Sequence, residues 1–163
     1  MAADRFPMTP ACQKKLRAEL KHLKEVDRPQ NIADIETALD HGDLRENAEY
    51  HAAKEKQGEL DARKRYLEYR IGRAQVIEPT SIKSTKVSFG ATVTLMDMDT
   101  DEKVIYILVG EDESDVRKGK ISIMTPVARA LLGKEAGDDV LVKLPKGDRE
   151  LEVLKVEYKA IEP

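Results

Sequence analysis

The chain has 163 residues, 36% of them charged and only 4% aromatic with no Trp, so it holds one ordinary domain or two small ones and no large aromatic-lined cofactor pocket. Its 28 Lys and Arg against 31 Asp and Glu leave a net charge of -3, which removes any bulk attraction to nucleic acid or anionic lipid and confines nucleic-acid contact to local features. The single Cys12 rules out an intramolecular disulfide, a Cys-pair zinc site and a CxxC redox motif, and neither a signal-peptide core nor a run of about 18 apolar residues is present. The reading is a soluble protein of a reducing, cytoplasmic setting, away from membranes.

In chain order, Thr9-Pro10 is an N-cap followed by Pro at the first helical position. Leu16, Leu20 and Leu23 mark one helix face, but continuing their spacing would bring Asp27, Gln30 and Asp34 inward, whereas the apolar residues that follow are Ile32, Ile35 and Leu39. The phase jumps by about two residues, and Pro29 sits in the jump, which predicts a kink or break. Gly42 lets the chain reverse. A second helix is expected from about Leu44 to Val76, with Ala53, Gln57, Leu60, Lys64, Leu67, Ile71 and Ala74 as an uninterrupted four-three seam. Together these make an antiparallel α-hairpin whose arms, at about 30 residues each, reach on the order of 45 Å.

Residues 78–85, Glu-Pro-Thr-Ser-Ile-Lys-Ser-Thr, read as a linker. Beyond it β-branched alternation predicts strands over 86–97 and 103–109, then a short helix over 127–132 stopped at Gly133. A last hairpin pairs 140–144 with 150–156 around Pro145-Lys146-Gly147-Asp148. The expected architecture is α+β: a coiled-coil domain over 1–78, a linker over 79–85 and an antiparallel sheet domain with a short helix over 86–163. Residues 1–78 carry 15 basic and 15 acidic side chains, so neither half is a basic nucleic-acid arm.

The hairpin tip, His41-Gly42-Asp43-Leu44-Arg45-Glu46-Asn47-Ala48-Glu49-Tyr50-His51-Ala52-Ala53-Lys54-Glu55, is unusually rich in polar groups. Asp43 and Glu46 have the spacing of a capping box at the head of the second helix. The same spacing puts two carboxylates within one helical turn, where they could share a divalent cation whose other ligands come from a second macromolecule, as in two-metal phosphoryl transfer. Both readings are compatible. Glu46, Tyr50 and Lys54 follow at four-residue steps up one face, and a Lys beside a metal-binding carboxylate suits a phosphate substrate. Zinc is a poor fit for His41 and His51, ten residues apart across a turn.

Residues 42–55 resemble the signature of the bacterial Gre transcription elongation factors. The likeness continues through Gln75-Val76-Ile77, Phe89-Gly90-Ala91-Thr92-Val93, residues 109–115, 125–134 and 153–158, covering essentially the whole chain from Met8. The resemblance implies an N-terminal antiparallel coiled coil and a C-terminal FKBP-like domain. It implies a factor that is not an enzyme on its own, but inserts its coiled coil through the secondary channel of bacterial RNA polymerase and stimulates the polymerase's cleavage of backtracked nascent RNA. On that basis Asp43 and Glu46 would help hold the second catalytic Mg²⁺ and orient the attacking water. Asn47, Tyr50 and Lys54 would contact the RNA 3′ segment or the channel, and Ile121, Ser122 and Pro126 would dock on the channel rim. DNA would be met only through the elongation complex, by a monomeric, cytoplasmic protein. Leu39 stands where family members often carry a basic residue.

Two alternatives differ in class. A non-cleaving channel plug would be indifferent to loss of both tip carboxylates. An FKBP-like isomerase or chaperone would need an aromatic-walled pocket, for which the second half offers only Phe89, Tyr106 and Tyr158.

Overall fold

The computed structural model describes residues 4–42 and 47–163. They form two compact units: Gln13–Arg73, which is helical, and residues 4–12 together with Ala74–Pro163, which carry the sheets. The division therefore falls at 73/74 rather than at the expected linker over 79–85. The reason is a short parallel pairing of strand β1 (Phe6–Met8) with β2 (Ala74–Val76), which recruits both the start of the chain and the end of the expected coiled coil into the sheet unit. Pro79 is buried within a single 3-10 turn, Pro79–Ser81, so the first part of the expected linker is packed structure.

In the helical unit, helix α1 (Pro10–His22) runs into a π-helical turn (Leu23–Asp27) and then α2 (Arg28–Leu39). The start at Pro10 is as read from the sequence, with the Cys12 amide donating to Thr9 Oγ1 at 3.2 Å. Where a kink or break is expected at Pro29, the chain stays helical through the proline and the irregularity lies just before it. There the Arg28 amide donates to the Leu23 carbonyl five residues back, which inserts one extra residue in the turn. The inward face continues as Asn31, Ile35 and Ala38, one position later than Gln30, Asp34 and Thr37. Ile32 and Leu39, expected inward, are 49% and 44% exposed. A one-residue insertion rotates a helix by about 100°, half of the jump inferred from the apolar residues alone.

Asn31 fills the inward position that an apolar residue would normally take; it is 2% exposed. Its Nδ2 donates to the Ala53 carbonyl at 2.9 Å across the hairpin, which satisfies the buried amide and fixes the register of the two arms. Helix α3 (Ala48–Gly72) supplies the second arm. Every residue of its predicted seam is buried or half-buried, from Ala53 through Leu67 to Ile71. Ion pairs brace the flanks: Arg63 to both carboxylate oxygens of Glu19 at 2.7 and 3.0 Å, Lys24 to Glu68 at 3.4 Å and Arg28 to Asp61 at 3.3 Å. From Lys24–Glu68 through Arg28–Asp61 to Asn31–Ala53 the partners run in reversed sequence order, as an antiparallel hairpin requires.

The sheet unit is α+β, as expected. Strands β3 (Thr92–Asp97), β4 (Lys103–Val109), β5 (Lys120–Ser122), β6 (Asp139–Val142) and β7 (Arg149–Glu157) are ordered β5-β4-β3-β7-β6. All neighbours are antiparallel except β4 and β5, which pair in parallel, so the sheet is mixed at one edge. Helix α4 (Pro126–Leu131) places Ala128 and Leu131 on a core of Val93, Leu95, Leu108, Val140, Val142, Leu151 and Val153. Thr125 caps it and Gly133 ends it at φ +82°, a conformation that favours glycine. Phe89-Gly90 is a turn rather than strand, so β3 begins at Thr92.

The polar link between β3 and β4 is organised by Asp97. Its Oδ1 accepts the amides of Asp99 and Thr100 at 2.9 and 3.3 Å, and its Oδ2 lies 3.3 Å from the Arg149 guanidinium. The Asp99 amide above all, then that of Thr100 and the Arg149 guanidinium, hold the Asp97 carboxyl below its ordinary value against the opposing effect of burial.

Candidate functional site at the hairpin tip

Two described anchors bound the tip. Gly42 adopts φ +112°, the left-handed conformation that a reversal requires. On the returning side the N-cap of α3 is Asn47: its Oδ1 accepts the Tyr50 amide at 3.0 Å and its Nδ2 donates to the Ala38 carbonyl at 2.6 Å. One side chain thus starts the second arm and ties it to the last turn of the first. With Asn47 as its N-cap, α3 begins at Ala48, four residues later than expected. Asp43 and Glu46 themselves lie outside the described residues, so the structure gives their carboxylates no geometry.

The other expected tip residues occupy the first turns of α3. Tyr50 is half-buried, with its ring edge-on to that of His51 at 5.6 Å between centroids. Lys54 is exposed and its Nζ donates to Gln57 at 2.8 Å, while His41 meets Glu49 at 3.1 Å. Asn47, Tyr50 and Lys54 are therefore brought onto the start of one helix next to the acidic segment. Asn47 has both ends of its amide engaged in the tip itself, a structural duty that sequence reading missed although Asn is among the preferred N-cap residues.

The expected docking residues share one region of the sheet unit. Ile121 lies on β5 beside Leu108 of β4, Ser122 ends that strand and Pro126 is exposed at the first turn of α4. Ser122 is buried; its Oγ accepts the Met124 amide at 3.1 Å and its carbonyl accepts from the Thr125 hydroxyl at 2.8 Å, so it shapes the turn into α4. The aromatic residues that an isomerase pocket would need are occupied separately. Phe89 is buried, Tyr106 reaches Arg149 at 3.5 Å, and the Tyr158 hydroxyl bonds Ser88 and the Lys86 carbonyl. Among the described residues, no helix is long and apolar enough to cross a membrane.

Both parts of this chain match known sequence families. Residues 6–76 match the description "Transcription elongation factor, N-terminal", and residues 82–158 match "Transcription elongation factor, GreA/GreB, C-term". The chain is 52% identical over 160 residues to the transcription elongation factor GreA of Francisella tularensis subsp. novicida (strain U112), covering 98% of this chain and 100% of that protein. The GreA of subsp. tularensis (strain SCHU S4 / Schu 4) gives the same values. Among solved structures, similarity extends to the GreA factor homolog 1 (Gfh1) protein of Thermus thermophilus, at 26% identity and a TM-score of 0.44 over 94% of this chain and 99% of that one. A helical hairpin followed by a sheet unit, each matched by its own family description, defines the class: the chain belongs to the GreA/GreB family of transcription elongation factors. Its full-length relatives make it a factor of the GreA type.

Proposed function

We propose that this chain acts on bacterial RNA polymerase by passing its hairpin tip through the secondary channel and stimulating the polymerase's own cleavage of backtracked nascent RNA. The observation that carries the reading is the pair of anchors at Gly42 and Asn47. Chain connectivity confines Asp43 and Glu46 to the end of the hairpin, the part of a long arm that travels deepest into a channel. Arm α3 alone spans 25 residues, about 37 Å at the helical rise.

Two carboxylates are hard oxygen donors and suit Mg²⁺, but two alone fall well short of its octahedral set, so Asp43 and Glu46 would hold the ion together with the polymerase and its substrate. Bound there, Mg²⁺ would supply Lewis-acid activation of water and charge neutralisation at the scissile phosphate. This chain's own contribution is delivery and orientation. Asn47 fixes the start of α3 and its distance from Ala38, while Tyr50 and Lys54 present an aromatic edge and a cation toward the extruded RNA 3′ segment or the channel wall. Ile121 and Pro126 contribute the docking surface on the channel rim, and buried Ser122 acts there by shaping the turn that joins them. The factor works as a monomer, has no cleavage activity without polymerase, and meets DNA only within the elongation complex in the cytoplasm.

The test is release of short 3′ RNA fragments from a stalled, backtracked complex in Mg²⁺, comparing wild type with Asp43→Asn plus Glu46→Gln. Acceleration by wild type alone, with both proteins competing for the channel, is the expected result. Equal binding with no acceleration by either would make the arm a plug.

A further inference from the structure

The flanks of the hairpin are not equivalent in charge. Lys24, Arg28 and Arg63 each pair with a carboxylate of the opposite arm. Continuing the same face of α1 toward its start, Lys21, Arg17 and Lys14 fall three and four residues apart, all exposed, and none makes an ion pair among the described residues. Arg17, Lys21 and Lys24 line an open groove of about 250 Å³ together with the half-buried Leu20 and Ile71 and one carboxylate, Glu25. Three cations beside two aliphatic side chains are a paired demand for negative charge and an apolar anchor.

From this we infer that the groove is a second docking surface of the hairpin, and that its occupant is an acidic helical segment of the polymerase presenting one aliphatic side chain flanked by carboxylates. The groove is smaller than the roughly 300–1,000 Å³ of small-molecule pockets, which suits a single side chain. RNA is a poorer match, because single strands are held by bases stacked on aromatic rings and the groove lining has none. Arg17 and Lys21 stand one helical turn apart, about 6 Å along the axis, so carboxylates one turn apart on a facing helix meet both. The inference rests on the polymerase reading above and adds to it a contact near the end of the hairpin opposite the tip.

Binding of the full-length chain, fluorescently labelled, to core RNA polymerase free of nucleic acid tests it across a salt series. Arg17→Glu plus Lys21→Glu should weaken binding about tenfold and flatten its salt dependence, as reversal of complementary interface charges does. Both side chains are exposed and lack ion-pair partners among the described residues, so the like-charge steps the reversal creates with Glu25 are only a minor cost to the helix, and circular dichroism checks that the variant is folded. Arg17→Lys plus Lys21→Arg, and the charge-matched Lys143→Glu plus Lys146→Glu in the sheet unit, should bind as wild type does. Unchanged affinity of the reversed variant overturns the inference while leaving the proposed function intact. A loss seen only on complexes with extruded RNA also overturns it, because the surface then reads RNA. If wild type itself fails to bind core polymerase, the proposed function falls and this inference falls with it.

Discussion

Deleting Val26 tests why the first arm contains a π-helical turn. Without that residue, an unbroken α-helix from Pro10 to Leu39 would place the inward residues Leu16, Leu20, Leu23, Asp27, Asn31, Ile35 and Ala38 at steps of four, three, three, four, four and three. That is regular α-helical phase. Packing and the Asn31–Ala53 hydrogen bond would survive. Pro29, however, now lies at the start of α2, directly after the Arg28-to-Leu23 bond that closes the π turn, and the deletion would move it into a helix interior. There its missing N–H and its ring cost about 3 kcal/mol. The deletion should therefore destabilise the hairpin by about that amount, and Pro29→Ala in the same background should restore most of it. Urea unfolding followed by far-ultraviolet circular dichroism reads both. An equal loss with and without Pro29 would refute the reasoning, since the turn would then be needed for packing and not to accommodate the proline.

Further outcomes follow from the sheet unit and, for one glycine, from the second arm of the hairpin. Thr9 Oγ1 donates to Glu113 at 2.7 Å while also capping α1, so Thr9→Ala should cost about 1–2 kcal/mol in urea unfolding, and Glu113→Gln less. A Cβ on Gly110 would stand 2.5 Å from the Pro7 carbonyl oxygen, whereas one on Gly58 meets nothing within 4 Å. Gly110→Ala should thus expel β1 and abolish hydrogen-exchange protection of the Ile77 amide, which donates to Met8, while Gly58→Ala, mid-helix, should stabilise by about 0.5–1 kcal/mol. The Asp97 carboxyl is held below its ordinary value of 3.8, so its contribution is complete above that pH and is lost as pH falls through the depressed folded value. The urea midpoint of Asp97→Asn should accordingly lie below that of wild type at neutral pH, the difference closing in acid; a gap that persists in strong acid would contradict this.

Legibility varied with how local the deciding interaction was. The seam of α3 could be read residue by residue because an amphipathic period is a property of contiguous sequence. The first arm could not: its apolar residues signalled a phase change but overstated it, since Ile32 and Leu39 are exposed while Asn31 is buried on the strength of one partner in the other arm. Strands β1 and β2 were invisible, as each is three residues long and their pairing joins positions nearly seventy apart. Strand β5 was hidden by its buried Lys120, whose Nζ reaches the Glu162 carbonyl. At the tip the carboxylates stand out as chemistry, whereas nothing in the spacing marks Asn47 as the N-cap of α3. A capping-box spacing recurs often enough that only the hydrogen bonds decide which residue starts the helix.

Because residues 4–12 belong with Ala74–Pro163, the hairpin is an excursion from within the other unit, with consequences for how the molecule is made. During synthesis the hairpin is complete once Arg73 has emerged and can close on itself. Strand β1, although it emerges before the hairpin, must wait for Ala74–Val76, and Thr9 must wait longer still for Glu113. Residues 4–12 thus precede the hairpin in the chain yet are locked in place after it, and their pairing reports that the chain has passed through the whole intervening arm.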